Sequence, residues 1–111
     1  MPALAVVLPQ AETLYTKQEM VRIATETALR YGLNVEKFLK VVGCESDNWK
    51  QKARGDYRNG VPTSFGLAQF HHPVRDWGMT IEQADDPVYA LERMAKAWSQ
   101  GKQGKWSCYW M

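Results

Sequence analysis

The sequence is a mildly basic chain of 111 residues, with 14 Lys and Arg against 12 Asp and Glu and a formal net charge of +2. This length is enough for one compact domain with one hydrophobic core and too short for two. The basic residues are spread along the chain without a run of Lys or Arg, which argues against a nucleic acid as the main partner. The charge balance does suit an anionic polymer.

The first 15 residues differ from the rest of the chain. They contain a short apolar run, residues 3 to 8, with no basic residue before it. This run is too short to span a membrane and lacks the charged start of a complete signal peptide. We therefore predict a flexible lead-in or precursor remnant over residues 1–15 and a single folded domain over residues 16–111.

Capping patterns predict where four helices begin. A capping box has Ser or Thr before the helix and Glu or Gln three residues later, and an Asp-Pro pair is typical of a cap followed by the first turn. Such signals stand at Thr16/Glu19, Asn34, Thr80/Gln83 and Asp86-Pro87. The last helix has an apolar stripe of Val88, Leu91, Ala95 and Trp98 and is expected to end at Gly101.

A polar stretch from residue 46 to residue 64 follows the second helix, with Gly, Asp, Asn and Pro at turn-forming positions. We predict a long loop or a small, irregular hairpin there. Because the regular patterns elsewhere are helical, the domain is expected to be mostly α. Loops of this kind often carry functional residues.

The apolar stripe of the second helix leads to a carboxylate. At 100° per residue, Val35, Phe38, Leu39 and Val42 share one side, and Glu45 lies at the edge of that stripe. The ordinary alternative is a glutamate that bends out to solvent, but a carboxylate in the last turn opposes the helix dipole. Held against apolar side chains, the carboxyl would have a raised pKa and could serve as a general acid near neutral pH.

Two short motifs follow one another in this chain. Glu45-Ser46 precedes an 18-residue polar loop (residues 47 to 64), and the loop leads into Ser64-Phe65-Gly66-Leu67-Ala68-Gln69-Phe70. The order resembles that of lytic transglycosylases and goose-type lysozymes, whose signature is a Glu-Ser pair followed by Gly-Leu-Met-Gln. The resemblance covers about residues 16 to 109 and implies a compact, lysozyme-like domain. Ala68 replaces the usual Met, which predicts looser contact with a sugar, and the short loop predicts a reduced or absent β-lobe.

The resemblance implies cleavage of the β-1,4 bond between N-acetylmuramic acid and N-acetylglucosamine in peptidoglycan. Glu45 would be the general acid and then the base. In lytic transglycosylases the 6-hydroxyl of the sugar captures the oxocarbenium-like carbon, so one carboxylate suffices and the product carries a 1,6-anhydro ring.

Asp56 is the candidate second carboxylate. Residues 54–60, "RGDYRNG", resemble the Gly-Asp segment of goose-type lysozymes, although Gly-Asp is also an ordinary turn. In a hydrolytic lysozyme, Asp56 would activate water. Goose-type enzymes also carry an aspartate after the Gln-containing motif, where this chain has Phe70-His71-His72, so we favour the lyase.

The resemblance also suggests which side chains contact the saccharide. Ser46, Gln69 and Tyr109 are the expected polar contacts. Aromatic rings stack on pyranose faces, but tryptophans in so small a domain are more often core residues, so one or two at most are assigned to the groove. The candidates are Trp49, Trp77 and Trp106. The adjacent histidines, His71 and His72, would point to opposite sides of an extended segment, so we expect no metal site and no cofactor.

The two cysteines, Cys44 and Cys108, lie 64 positions apart. Cys44 falls on the Lys37/Lys40 side of its helix, away from the apolar stripe, where a buried free thiol has little reason to be. We therefore predict a Cys44–Cys108 disulfide that ties the C-terminus to the second helix. A disulfide agrees with work outside the cytoplasm, in a secreted, periplasmic or phage-borne protein.

Other functions remain open at this point. A catalytically silent module could keep the fold and grip peptidoglycan, for example in a phage tail or a secretion machine. A small basic helical nucleic-acid binder is a weaker alternative, because the basic residues are dispersed. We expect a monomer whose partner is a peptidoglycan glycan strand, with no nucleic acid and no integral membrane segment.

Overall fold

The computed structural model describes residues 13 to 111, and over that range the chain is mostly α. The α-helices are α1 (Lys17–Arg30), α2 (Val35–Glu45), α3 (Ile81–Ala84) and α4 (Pro87–Ser99). An antiparallel sheet, in the order β1 (Arg54–Gly55), β2 (Ser64–Phe65) and β3 (Phe70–His71), lies between α2 and α3 in the chain. A π-helical turn (Pro73–Trp77) follows β3, and two 3₁₀ turns (Gln103–Lys105 and Ser107–Trp110) follow α4. Each strand has two residues, so the prediction of a mostly α domain with a reduced β-lobe is confirmed.

The helices begin where the capping patterns predicted. Both capping boxes are complete, with the side chain of each cap accepting from the backbone and the reciprocal bond also present. Asn34 and Asp86 each accept a backbone N–H at the starts of α2 and α4. These bonds satisfy N–H groups that the first turn of a helix leaves unpaired.

Helices α1, α2 and α4 pack around one core. Its buried helical side chains include Met20, Ala24, Ala28, Phe38, Val41, Val42, Leu91, Met94, Ala95 and Trp98. Phe38 packs edge-on against Trp98, with ring centroids 5.2 Å apart. The expected burial of Val88 is wrong, since its side chain is 48% exposed. The buried arc of α4 also takes in Ala90 and Ala97, which leaves Val88 at its margin.

Contacts with the domain begin before residue 16. The backbone N–H of Tyr15 donates to Gln51 Oε1 at 2.8 Å, and Gln51 Nε2 donates to the carbonyl oxygen of Thr13 at 2.6 Å. The rest of the predicted lead-in, residues 1 to 12, lies outside the described residues. Between residues 13 and 111, no helix has the length and apolar character needed to cross a membrane.

Residues 64–70 carry the second motif from the sheet into the core. Gly66 has a φ of +80°, and a Cβ there would lie 1.8 Å from the carbonyl oxygen of Ala84, so only glycine fits this approach to α3. Ala68 has no exposed surface, and its carbonyl oxygen accepts from Trp106 Nε1 at 2.7 Å. The side chain of Ala68 lies in the core and lines no cleft, so the expectation that it loosens contact with a sugar stays a prediction.

Candidate active site

Glu45 lines a cleft of about 390 Å³, which lies between the end of α2, the sheet and the C-terminal segment, residues 103–111. The residues that line it include Glu45, Asp56, Gln69, Phe70, Trp77 and Trp106. The structure thus brings both predicted carboxylates to one cleft. It also brings Gln69 and two of the three candidate tryptophans there.

Glu45 is the last residue of α2 and is partly buried. Its Oε2 accepts from the backbone N–H of Cys108 at 2.9 Å and from Ser107 Oγ at 3.5 Å. Burial raises the pKa of the carboxyl; the two hydrogen bonds oppose this rise, and the charge of Asp56 adds to it. A carboxyl with a raised pKa retains its proton closer to neutral pH, as a general acid requires.

The donors to Glu45 are fixed by the covalent structure. Cys44 and Cys108 form a disulfide, which confirms the predicted pairing. The bond joins the residue before Glu45 to the residue whose N–H the carboxyl accepts. On the other side of Ser107, Trp106 is buried against the core. The C-terminal segment is therefore anchored on both sides of its contacts with Glu45.

Asp56 is held in place but open to solvent. Its Oδ2 accepts from Ser64 Oγ and lies 3.7 Å from His71 Nδ1. The φ of Asp56 is +50°, in a left-handed region that residues other than glycine rarely adopt and that is common in functional loops. Its side chain is 67% exposed. This carboxylate can therefore meet water or a ligand without rearrangement.

Ser64, His71 and Asp56 do not form a nucleophilic triad. Ser64 Oγ and Asp56 Oδ2 both approach the same nitrogen, His71 Nδ1, at 3.1 and 3.7 Å. In a triad the histidine uses one nitrogen for the nucleophile and the other for the acid. Ser64 also has no exposed surface. The cluster instead positions Asp56.

Gln69 lines the cleft but uses its amide within the protein. Its Nε2 donates to the carbonyl oxygens of Ala53 at 3.1 Å and Gly66 at 3.0 Å, and its φ is +48°. A Cβ on Gly55 would lie 2.3 Å from Gln69 Oε1, so the amide packs directly on β1. Gln69 braces the strand that leads to Asp56. Its contact with a saccharide stays a prediction, restricted to Oε1 because both N–H groups are occupied.

Three expected contact residues lie outside the cleft lining. Ser46 has no exposed surface, and its Oγ bonds to the backbone of α2 and of Trp49. Trp49 packs partly buried against the core. The ring of Tyr109 packs edge-on against Trp98 at 5.4 Å, with Lys37 Nζ 4.8 Å from its centroid. The prediction for Ser46 is wrong because a fully buried hydroxyl cannot touch a sugar, and Trp49 and Tyr109 serve packing here.

Two of the expected tryptophans, Trp77 and Trp106, form an aromatic wall of the cleft together with Phe70, which sequence reasoning missed. The ring centroids are 4.8 Å apart for Phe70–Trp77 and 5.7 Å apart for Trp77–Trp106. Ser107 was also missed, although its neighbour Cys108 was expected beside Glu45 and pointed to this segment. The histidine rings do not point to opposite sides: their centroids are 4.2 Å apart, because His72 leaves the extended conformation with a φ of +46°.

Within residues 13–111, no group of three or more His, Cys, Asp or Glu side chains is arranged to hold a metal ion. Comparison of the chain with models of protein families, with curated proteins and with solved structures finds no match. Function is therefore inferred from the motifs and from the chemistry of the cleft itself.

Proposed function

We propose that this protein cleaves the β-1,4 bond between N-acetylmuramic acid and N-acetylglucosamine in peptidoglycan, in the manner of a lytic transglycosylase. The observation that carries the proposal is Glu45, a partly buried carboxyl with a raised pKa that faces a cleft with a tryptophan wall. The order of motifs around it resembles that of lytic transglycosylases and goose-type lysozymes, and this resemblance suggests peptidoglycan as the substrate. The disulfide agrees with a wall-facing location outside the cytoplasm.

Glu45 supplies the proton for bond cleavage. An alkoxide is a poor leaving group, so the carboxyl protonates the glycosidic oxygen as its bond to the anomeric carbon breaks. The carboxylate left on Glu45 is stabilised by the N–H of Cys108 and the hydroxyl of Ser107, which favour the ionised form. It then accepts the proton of the 6-hydroxyl as that oxygen bonds to the anomeric carbon. The proton is returned to Glu45, no water is consumed, and the product ends in a 1,6-anhydro ring.

Hydrolysis is the second candidate reaction, and Asp56 is the observation that favours it. Asp56 faces the same cleft as Glu45, is exposed and is held by Ser64. A carboxylate so placed can activate water on the opposite face of the sugar or stabilise the positive carbon without reacting. We favour stabilisation of the positive carbon over activation of water, because the position after Gln69-Phe70, where goose-type lysozymes have a further aspartate, is His71.

Clearing of purified cell walls tests the proposed activity. The parent protein is expected to reduce the turbidity of sacculi, and Glu45→Gln is expected to do so at least 10²-fold more slowly, because loss of a general acid typically costs 10² to 10⁴ in rate. Glutamine keeps the acceptor oxygen for Cys108, so the variant should fold. Binding to sacculi without clearing by the parent would instead identify a silent wall-binding module.

A further inference from the structure

A second and larger cleft, of about 740 Å³, adjoins the cleft of Glu45. The two share His71, Trp77 and Lys105 in their linings. The two clefts therefore meet at Trp77, in the aromatic wall. Four cationic residues line the larger, basic cleft, namely Arg93, Lys96, Lys102 and Lys105.

The positive charge of the basic cleft is not neutralised by its surroundings. None of the four cations forms an ion pair with a carboxylate in the part of the chain that the structure describes. Asp76 is the carboxylate in the lining, and it is engaged by Arg75 at 2.9 Å. Arg93 is fixed by hydrogen bonds to Tyr89 and to the backbone oxygen of Trp77. A cleft lined by charges of one sign concentrates the opposite charge.

We propose that the basic cleft binds anionic groups attached to the glycan strand next to the bond that is cleaved. The proposal rests on the proposed function, because the glycan is what would lead into both clefts. Two sources supply such groups: the carboxylates of the peptide stems on N-acetylmuramic acid, and the phosphates of polymers linked to the wall. Either would meet Lys96 and Lys102 while the scissile bond lies at Glu45.

Such binding raises affinity for the wall rather than the rate of the chemical step, because Lys96 and Lys102 line the basic cleft and not the cleft of Glu45. It is also sensitive to ionic strength, since exposed charges are screened within about 8 Å at physiological salt. Reversal of two lysines is expected to weaken binding to walls roughly tenfold at low salt. The loss should shrink at high salt.

The test measures sedimentation of Glu45→Gln protein with purified sacculi, since this variant binds without cutting. In that background, the double variant Lys96→Glu/Lys102→Glu is compared with Lys40→Glu/Lys52→Glu, which changes net charge equally at exposed positions outside both clefts. Melting temperatures confirm that both fold. We expect roughly tenfold weaker binding for the first pair and less than twofold for the second.

Two treated substrates identify the source of the charge. One is glycan freed of peptide stems by an amidase, which has lost its cross-links and is therefore added in solution as a competitor for binding to intact sacculi. The other is sacculi freed of phosphate polymers by acid. The two double variants should bind alike on whichever substrate lacks the relevant group. Equal binding on intact sacculi at low salt overturns the proposal, and so does binding to a single-stranded oligonucleotide in place of sacculi. If the parent clears walls while the two double variants bind equally, anion binding in the basic cleft is refuted and the proposed cleavage activity is not. If the parent clears no walls, the proposed cleavage activity is refuted.

Discussion

The backbone N–H of Cys108 donates to Glu45 Oε2 at 2.9 Å, and Cys108 is disulfide-bonded to Cys44, the neighbour of Glu45 in α2. The carboxyl and its donor are therefore linked covalently as well as by a hydrogen bond. The disulfide keeps the backbone of Cys108 next to the last turn of α2, within reach of the Glu45 carboxyl. The disulfide thus keeps a hydrogen-bond donor beside the proposed catalytic acid, in addition to linking the C-terminal segment to α2.

Removal of the disulfide is expected to affect both stability and proton affinity. For Cys44→Ser/Cys108→Ser, the free energy of unfolding should fall by roughly 4 kcal/mol, because the bond closes a separation of 64 residues. Urea denaturation measures this. The pKa of Glu45 should rise further if the bond from Cys108 is lost, since that bond lowers it, so the alkaline limit of activity should move to higher pH. An unchanged urea midpoint and pH profile would contradict the proposed coupling.

The raised pKa of Glu45 predicts a pH-dependent stability. An acid that binds its proton more tightly in the folded state stabilises the fold below its unfolded pKa, about 4.3, and this contribution is lost as pH rises through the folded pKa. Glu45→Gln should therefore melt at a higher temperature than the parent at pH 7 and at a similar temperature at pH 4. Thermal melts of both proteins at the two pH values measure this difference.

Glu19 offers a control of opposite sign. Its pKa is lowered, first by the hydrogen bond from the backbone of Thr16, so its contribution is present above the unfolded pKa and lost as pH falls. Glu19→Gln should thus melt below the parent at pH 7 and approach it at pH 4. If Glu45→Gln, like Glu19→Gln, melted below the parent at pH 7, the environment of Glu45 would not disfavour the charged carboxylate.

Asp56 separates the two enzymatic reactions. For the lyase, Asp56→Asn should lower the initial clearing rate only mildly, within roughly tenfold, because no water has to be activated. Ser64→Ala should have a similar effect, since the Ser64 hydroxyl donates to Asp56 and has no exposed surface of its own. Rates of wall clearing by the two variants check this. If the parent released muropeptides with reducing ends and Asp56→Asn had no activity, the protein would be a lysozyme that uses an Asp56-bound water.

Features that depend on local chemistry were predictable from the sequence. Thr16, Asn34 and Thr80 accept the N–H groups of the turn that follows them, so neighbouring residues suffice to predict each cap. The helical period placed Glu45 at the edge of a buried stripe, where the structure has it. The same period places Cys44 away from that stripe, and this position predicted its disulfide with Cys108.

Contacts that depend on tertiary packing were not predictable. The two-residue strands show no alternating pattern, so nothing indicated that β2 and β3 pair Ser64 with His71 beside Asp56. Whether an aromatic ring lines a cleft or fills the core depends on which elements cover it. Of the candidate tryptophans, Trp77 lines the cleft whereas Trp49 packs against the core. Tyr109, expected to contact the saccharide, packs on Trp98.

The mass of the muropeptides released from purified sacculi tests the central claim most directly, with the parent protein and Glu45→Gln treated side by side. The parent is expected to release fragments that end in 1,6-anhydro-N-acetylmuramic acid, about 18 Da lighter than the products of hydrolysis because no water is added. Glu45→Gln, folded as judged by its thermal melt, should release at least 10²-fold less. Release of the same fragments at a similar rate by the Gln variant, or no release by the parent, would contradict the assignment of glycan cleavage to Glu45.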